Sequence, residues 1–316
     1  MQSPLPVRDG VNATRLRLPE EGPWDTAMDY MMHRWGHIDP QGIEDRFDAG
    51  EIVGEGGVPL NRHTRLEDHT FIWYYRTLPP ETRIPVDIGI LHQDDHLLVV
   101  DKPHFLPTTP GGTYIQESAL VRLRNQLDLP DLIPMHRLDR MTAGVLLFST
   151  NPQTRGKYQV LFEKRQVQKE YECVSAARPA PGYPAVEFPA VVRNRMTKSR
   201  SYLLAEVVEG EPNAETRIER LETFDGGASA DATGAGGGRR LARYRLEPHT
   251  GKTHQLRVHM ASLGLGIVND AFYPDLLDKA PDDYTKPLQL LARGIRFVDP
   301  ITGKPVEYRS ALQLSE

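Results

Sequence analysis

Two short apolar runs, residues 97–100 (LLVV) and 145–148 (VLLF), constrain the fold of this chain more than any other feature. Each reads as a buried strand. The first stops at Lys102-Pro103, where the proline cannot continue a ladder. Between and after them, residues 116–127 and 154–165 read as helices, the second amphipathic. From 167 to 246 short strand-like runs dominate, and residues 241–246 alternate in polarity. Strands and helices are interleaved without a regular βαβ period. A mixed α+β sheet is therefore expected rather than a doubly wound parallel one. Residues 225–238, DGGASADATGAGGG, offer no core-forming side chains and are expected to be a flexible loop between two strands.

Ahead of this unit the pattern changes. Residues 1–20 are rich in proline and charge and are expected to be extended. Residues 23–35 predict a helix, with Trp24, Ala27, Met28, Met31 and Trp35 at helical spacing, and 43–50 a second short helix ended by glycine. Residues 58–61 and 70–75 read as strands. The three prolines of TLPPETRIP, 77–85, mark a linker. A length of 316 residues suits one large domain and one small one. The expected division is a small N-terminal α/β domain over 1–80 and a larger domain over 81–316.

Composition narrows the function classes. No stretch approaches the roughly 20 apolar residues that a membrane helix needs, and MQSPLPVRDG has no secretory apolar region. Cys173 is the only cysteine, which rules out an intramolecular disulfide and cysteine-rich zinc sites. A cytoplasmic location is the simplest expectation. No HExxH pattern occurs. The net charge of −5 is unfavourable for a nucleic-acid partner, but the charge is segregated along the chain. Arg155, Lys157, Lys164, Arg165 and Lys169 form one basic stretch, and Arg193, Arg195, Lys198 and Arg200 another. Glu206, Glu209, Glu211, Glu215, Glu219 and Glu222 are acidic. A basic face on an acidic body and a set of solvated surface charges are both compatible with this pattern.

The segment HRLDRMTAGVLLFS, His136 to Ser149, holds the candidate chemistry. It sets Asp139 in a loop just before a buried strand, with Gly144 permitting a tight bend into that strand. Arg137 and Arg140 flank the acid. A carboxylate between arginines is expected in its charged form, able to act as a nucleophile or base. A structural ion pair is the alternative that the local sequence leaves open.

The whole segment resembles the catalytic motif HRLD-x-x-T-S-G-L-L-L-F of RluA-type pseudouridine synthases, with Ala143 in place of the usual Ser. Three further segments follow in the family's order. DDHLLVVDKP, 94–103, is similar to its N-terminal motif, although HFLPTTPGG departs from the small residue usual after Lys-Pro. VQKEYEC carries Lys169 and Tyr171. HTGKTHQLRVHMASLGLGIVNDAFY carries Lys252 for the first Arg, then His254 and Arg257. The closing segment LQLLARGIRFVDPITGKPVEY also matches. The resemblance spans about 85–310. It implies an α+β fold with a mixed, mainly antiparallel central sheet and flanking helices.

The N-terminal region resembles a small RNA-binding domain of ribosomal-protein type, with residues 58–61 (VPLN) in its turn. Its first helices, however, carry Asp25, Asp29, Glu44, Asp45 and Asp48. RNA binding and a purely structural role both stay open for this region.

The resemblance implies an isomerase that converts uridines of ribosomal or transfer RNA to pseudouridine, without metal or other cofactor and acting as a monomer. Asp139 is implied as nucleophile, Arg257 as its ionic partner, and Tyr171 as the aromatic platform for a flipped base. His136, Arg137, Arg140, Lys169, Lys252 and His254 are expected to contact RNA or to organise the loop. Two competing readings are a non-catalytic RNA-binding or ribosome-assembly factor on the same fold and an Asp-dependent hydrolase. The hydrolase needs a second carboxylate, for which Asp270 is the one candidate in the motifs.

Overall fold

The computed structural model describes residues 3–199, 204–226, 240–278 and 280–315. The loop expected over 225–238 lies, from 227 onward, outside the described residues, as does Arg200 of the second basic cluster. The chain divides into two compact units, residues 1–82 with 121–130, and residues 83–120 with 131–316.

In the first unit, β1 (Thr14–Arg17) pairs antiparallel with β2 (Phe71–Tyr74), beside α1 (Ala27–Trp35) and α2 (Pro40–Asp48). The helix expected from residue 23 starts at Ala27 because Thr26 caps it. The Thr26 hydroxyl accepts the Asp29 N–H, and the Asp29 carboxylate accepts the Thr26 N–H. The second helix starts earlier than expected, at Pro40, because Asp39 caps it through the Gly42 N–H. Ala27, Tyr30 and Met31 bury one face of α1 against Ile43, Phe47, Ile52 and Ile72. No strand forms over 58–61. The pairing there is limited to an isolated bridge between Pro59 and Val53, since a proline brings no N–H to a ladder. Most of α3 (Ala119–Leu127) also belongs to this unit, where the buried Arg124 donates to the Gly10 carbonyl at 2.9 Å.

The second unit is built on one large sheet. Its strands are β3 (Gly89–Gln93), β4 (Leu97–Lys102), β5 (Ile133–Pro134), β6 (Ala143–Ser149), β7 (Gln168–Ala176), β8 (Ala190–Lys198), β9 (Ala205–Val208), β10 (Ala214–Asp225), β11 (Arg240–Pro248), β12 (Leu290–Val298) and β13 (Pro305–Arg309). They run in the order β3-β4-β6-β12-β7-β11-β10-β8-β9, with β13 beside β12 and β5 beside β6. Only the β6–β12 pair is parallel, so the sheet is mixed and mainly antiparallel, as expected. The two apolar runs, 97–100 and 145–148, lie in β4 and β6, which are adjacent and buried along their whole lengths. Gly144 has φ 111° at the β6–β12 contact, where a Cβ would stand 2.2 Å from the Ala292 carbonyl oxygen.

Two helices cover this sheet. Tyr158 of α4 (Arg155–Glu163) packs with Leu97, Val99, Val145, Leu147, Ile295 and Phe297. Leu256 and Met260 of α5 (Gln255–Ser262) pack on Cys173, Ile218, Tyr244 and Leu246 at the sheet centre.

The charge segregation read along the chain is lost in part on folding, because distant segments become neighbouring strands. Arg193 donates to Glu215 at 2.7 Å, Arg243 to Glu222 at 3.0 Å, and Arg245 to Glu219 at 3.4 Å. The acids of β10 thus pair with arginines on the strands to either side. Exposed pairs of this kind contribute about 0–1 kcal/mol each.

Candidate active site

Every side chain of the candidate site comes from the second unit. Asp139 lies in the turn that enters β6, closed by the Thr142 N–H donating to the Asp139 carbonyl at 3.1 Å. The turn is fixed from several sides. The buried Thr108 hydroxyl donates to the Leu138 carbonyl at 2.8 Å and accepts the Leu138 N–H at 3.1 Å, satisfying both backbone groups of the residue before Asp139. Lys102 is fully buried, and its ammonium donates to the carbonyls of Pro103, Leu106 and Arg140. Burial pushes its pKa down to about 7, opposed by the Asp139 charge. His104 Nδ1 meets the Met141 carbonyl at 2.6 Å. The loop that departs from the family's small residue after Lys-Pro holds Phe105 at φ 67°, with its carbonyl accepting from Arg140.

Asp139 keeps 35% of its side chain exposed, enough to meet a ligand. It faces a cleft of about 410 Å³ lined by His136, Arg137, Lys169, Tyr171, Lys252, His254 and Arg257, among others. Among the described residues, the basic side chains within 4 Å of its carboxylate are the Arg257 guanidinium at 3.8 Å and the His254 imidazole at 3.9 Å. The arginines adjacent in sequence are not its partners. Arg140 is committed to Asp282 by two hydrogen bonds, at 2.7 and 2.8 Å, and leans over the Tyr114 ring. This pair occupies the guanidinium that the sequence offered for RNA contact. Arg137 is exposed and lines the cleft.

Arg257 is the residue that the resemblance implies as the nucleophile's ionic partner. It lies on α5, a helix, and is 2% exposed. Its main partner is Asp270, through Nε to Oδ2 at 2.8 Å and Nη2 to Oδ1 at 2.5 Å. The guanidinium also sits over the rings of Phe272 and Tyr273. Burial opposes its charge, but the hydrogen bonds and charge of Asp270 prevail and raise its pKa. With Asp270 fully covered and both its oxygens engaged, it is not a free second carboxylate for hydrolysis.

His254 adopts a left-handed backbone (φ 53°) at the start of α5 and meets the Tyr273 hydroxyl through Nδ1 at 3.0 Å, which leaves Nε2 toward Asp139. Burial lowers its pKa, only partly offset by Asp139. Gln255 anchors the preceding loop. Its carbonyl accepts from the Lys252 N–H and the Thr250 hydroxyl, while its amide donates to the Glu215 carbonyl and Thr216 hydroxyl.

Tyr171 and Lys169 point into the cleft from β7. Burial, and secondarily the Asp139 charge, push the Tyr171 phenol well above its usual range, so it is a neutral hydroxyl at neutral pH. Burial lowers the Lys169 pKa. His136 Nε2 accepts the Leu147 N–H at 3.2 Å and its ring stacks on Phe162, while burial holds its pKa near 3. A neutral ring spent on a backbone donor makes it a loop organiser rather than a phosphate contact.

The sequence did not reveal Asp270 as the partner of Arg257, nor the anchoring roles of Thr108, Lys102 and Gln255. Asp270 and Gln255 lay in a motif already singled out. Thr108 gave no signal of its own, because the backbone groups it holds lie 30 residues away, and the motif containing Lys102 does not show that its ammonium reaches the Arg140 carbonyl.

Comparison with known proteins agrees with this geometry. The sequence model of the RNA pseudouridylate synthase family matches residues 96–262. The dual-specificity RNA pseudouridine synthase RluA of Salmonella typhi is 32% identical over 224 residues, spanning 70% of this chain and 91% of that protein. An uncharacterized RNA pseudouridine synthase of Synechocystis is 26% identical over 252 residues, 78% of each. Among solved structures, human RNA pseudouridylate synthase domain containing 4 superposes with a TM-score of 0.51 at 25% identity, covering 71% of this chain and 88% of that one. Human RNA pseudouridylate synthase domain containing 1 shares the fold, with a TM-score of 0.53 at 21% identity over 75% and 94% of the two chains. On a match that covers more than half its length, the chain belongs to the RNA pseudouridylate synthase family and is an isomerase of that family's fold.

Proposed function

We propose that this enzyme isomerises specific uridines of structured RNA, ribosomal or transfer, with Asp139 as its nucleophile. The observation that carries the reading is the convergence of Asp139, Tyr171 and Arg257 on one cleft. The reaction breaks the C1′–N1 bond, turns the uracil, joins C5 to C1′, gives up the C5 proton and takes up a proton at N1. Nothing is oxidised or reduced. A carboxylate must act at the reacting nucleoside, the base must leave the stack, and water must be kept from the severed bond.

In this reading Asp139 meets the nucleoside while its turn is held by Thr108 and Lys102. Arg257, itself fixed by Asp270, directs Nη1 toward the carboxylate and supplies an oriented positive charge. Tyr171 offers its ring to the extruded uracil and a protonated hydroxyl near the reacting atoms. Arg137, Lys169 and Lys252 suit the phosphates on either side. We place this work in the cytoplasm, by a monomer. The single cysteine, buried and with its thiol pKa raised by burial, suits a reducing compartment.

The test is to delete the gene, map pseudouridine across total RNA, and complement with wild type or Asp139→Asn. Sites that vanish, return with wild type and stay absent with the variant identify the substrate and support the nucleophile. Full restoration by Asp139→Asn ends the proposed mechanism.

A further inference from the structure

We infer that Arg165, in the turn between α4 and β7, binds a phosphodiester of the substrate RNA at the mouth of the cleft. The inference rests on the proposed RNA substrate and adds a residue to its binding surface.

The first observation is backbone geometry. α4 ends in a Schellman motif. The Gln166 N–H donates to the Leu161 carbonyl at 2.8 Å and the Arg165 N–H to the Phe162 carbonyl at 3.2 Å. The residue at the left-handed position of this motif is usually glycine, because a Cβ is penalised there. Here that position is Arg165, with φ 55°. The chain keeps a long cationic side chain where its own fold favours none. A residue held in a disfavoured conformation beside a binding cleft points to a use for its side chain.

The second observation is the state of that charge. Arg165 is exposed and lines the same cleft as Asp139. Among the described residues its guanidinium has no carboxylate partner, whereas Arg140 is taken by Asp282 and Arg257 by Asp270. Arg137 and Lys252, both exposed, line the cleft with it, and the half-buried Lys169 lies four residues further along the chain. A cluster of unneutralised cations around an RNA-modifying cleft is the electrostatic footprint that a nucleic-acid backbone calls for. The planar fork of Arg165 suits the two free oxygens of one phosphodiester. Attraction to the carbonyl end of α4 is the competing structural account, and it predicts a different result on substitution.

The experiment compares wild type, Arg165→Gly and Arg165→Lys. It measures thermal midpoint and binding to a fluorescein-labelled RNA hairpin with uridines in its loop, across a series of KCl concentrations. Arg165→Gly is expected to keep or raise the thermal midpoint, to bind more weakly, and to show a plot of log affinity against log salt shallower by about 0.7–0.9, one phosphate contact. Arg165→Lys is expected to restore the salt slope but not the full affinity. Unchanged affinity and slope for Arg165→Gly overturn the inference. A loss of thermal midpoint in Arg165→Gly with the salt slope unchanged assigns Arg165 to helix capping and overturns it equally. Because binding is read without turnover, absence of any pseudouridine from the wild-type enzyme would sink the catalytic reading while leaving this contact standing.

Discussion

Arg257 grips Asp270 with two hydrogen bonds and leaves its remaining nitrogen 3.8 Å from Asp139. The cation beside the candidate nucleophile is therefore positioned by a second carboxylate, one that is itself fully covered. Removing Asp270 strands a buried guanidinium. Asp270→Ala is expected to cost about 3–5 kcal/mol of stability, measurable by urea unfolding. Replacing both partners with apolar residues, Arg257→Met with Asp270→Leu, should recover much of that stability without restoring pseudouridine formation. A double variant that regains activity would show that the pair serves folding alone.

Arg257→Lys separates charge from shape. The lysine keeps one positive charge but cannot reproduce the fork on Asp270 or the aim of Nη1. The rate is expected to fall by about 2–4 kcal/mol of transition-state stabilisation, the scale for losing one oriented electrostatic group. Single-turnover measurement at saturating RNA reads this directly. Near-native turnover would mean that position, not geometry, is what the site requires.

Thr108→Ala tests how the Asp139 turn is held. One hydroxyl satisfies both backbone groups of Leu138. Its loss leaves a buried donor and acceptor unpaired, at about 1–3 kcal/mol. Turnover should drop along with stability, since Asp139 is the next residue. Thr108→Ser retains the hydroxyl and should restore both. Equal damage from Ser and Ala would point to the Thr108 methyl instead.

Much of this was legible before folding. β4 and β6 stood out as apolar runs because both of their faces are buried, and Asp139, Tyr171 and Arg257 stood in ordered motifs. What was not legible depends on three-dimensional neighbours. The partner of Arg140 lies 142 residues away, so adjacency to Asp139 in the chain was misleading. Acids on β10 meet bases on β8 and β11 only once the strands pair. Helix starts were displaced because capping by Thr26 and Asp39, not the apolar period, sets the first turn.

Gly144 was legible as a bend, and the structure gives it a harder constraint. Its φ of 111° is one that L side chains rarely adopt, and an added Cβ meets Ala292 backbone atoms at 2.2 and 2.8 Å. Neither obstacle is a flexible side chain. Gly144→Ala is expected to destabilise by at least the roughly 1–3 kcal/mol of core overpacking. Because β6 and β12 pair only through Ala143 and Gly144, hydrogen exchange should rise first at this contact. Protection equal to wild type would show that the added methyl is accommodated without parting the strands.

Three histidines should make stability fall as the solution is acidified. Burial lowers the pKa of His136 to about 3, and of His104 and His259 to about 4. In the unfolded chain each titrates near 6.5. Between those values the unfolded state binds more protons than the folded one, so stability rises with pH across the window and is lost as pH falls through it. His259 is the cleanest probe. It is fully buried, with Nδ1 on the Thr216 hydroxyl and Nε2 on Asn194 Oδ1, and Thr216 already accepts from Gln255. With Nε2–H on Asn194 Oδ1, a second ring proton on Nδ1 would break the hydrogen bond that the Thr216 hydroxyl donates there. Urea midpoints measured from pH 6.5 to 5, above most carboxylate titrations, should decline. Each histidine contributes up to about 1.4 kcal/mol per pH unit once its unfolded form is charged. In His259→Gln the decline should be shallower by about one proton's worth. The same slope in variant and wild type would mean that His259 takes up its proton without opening the fold.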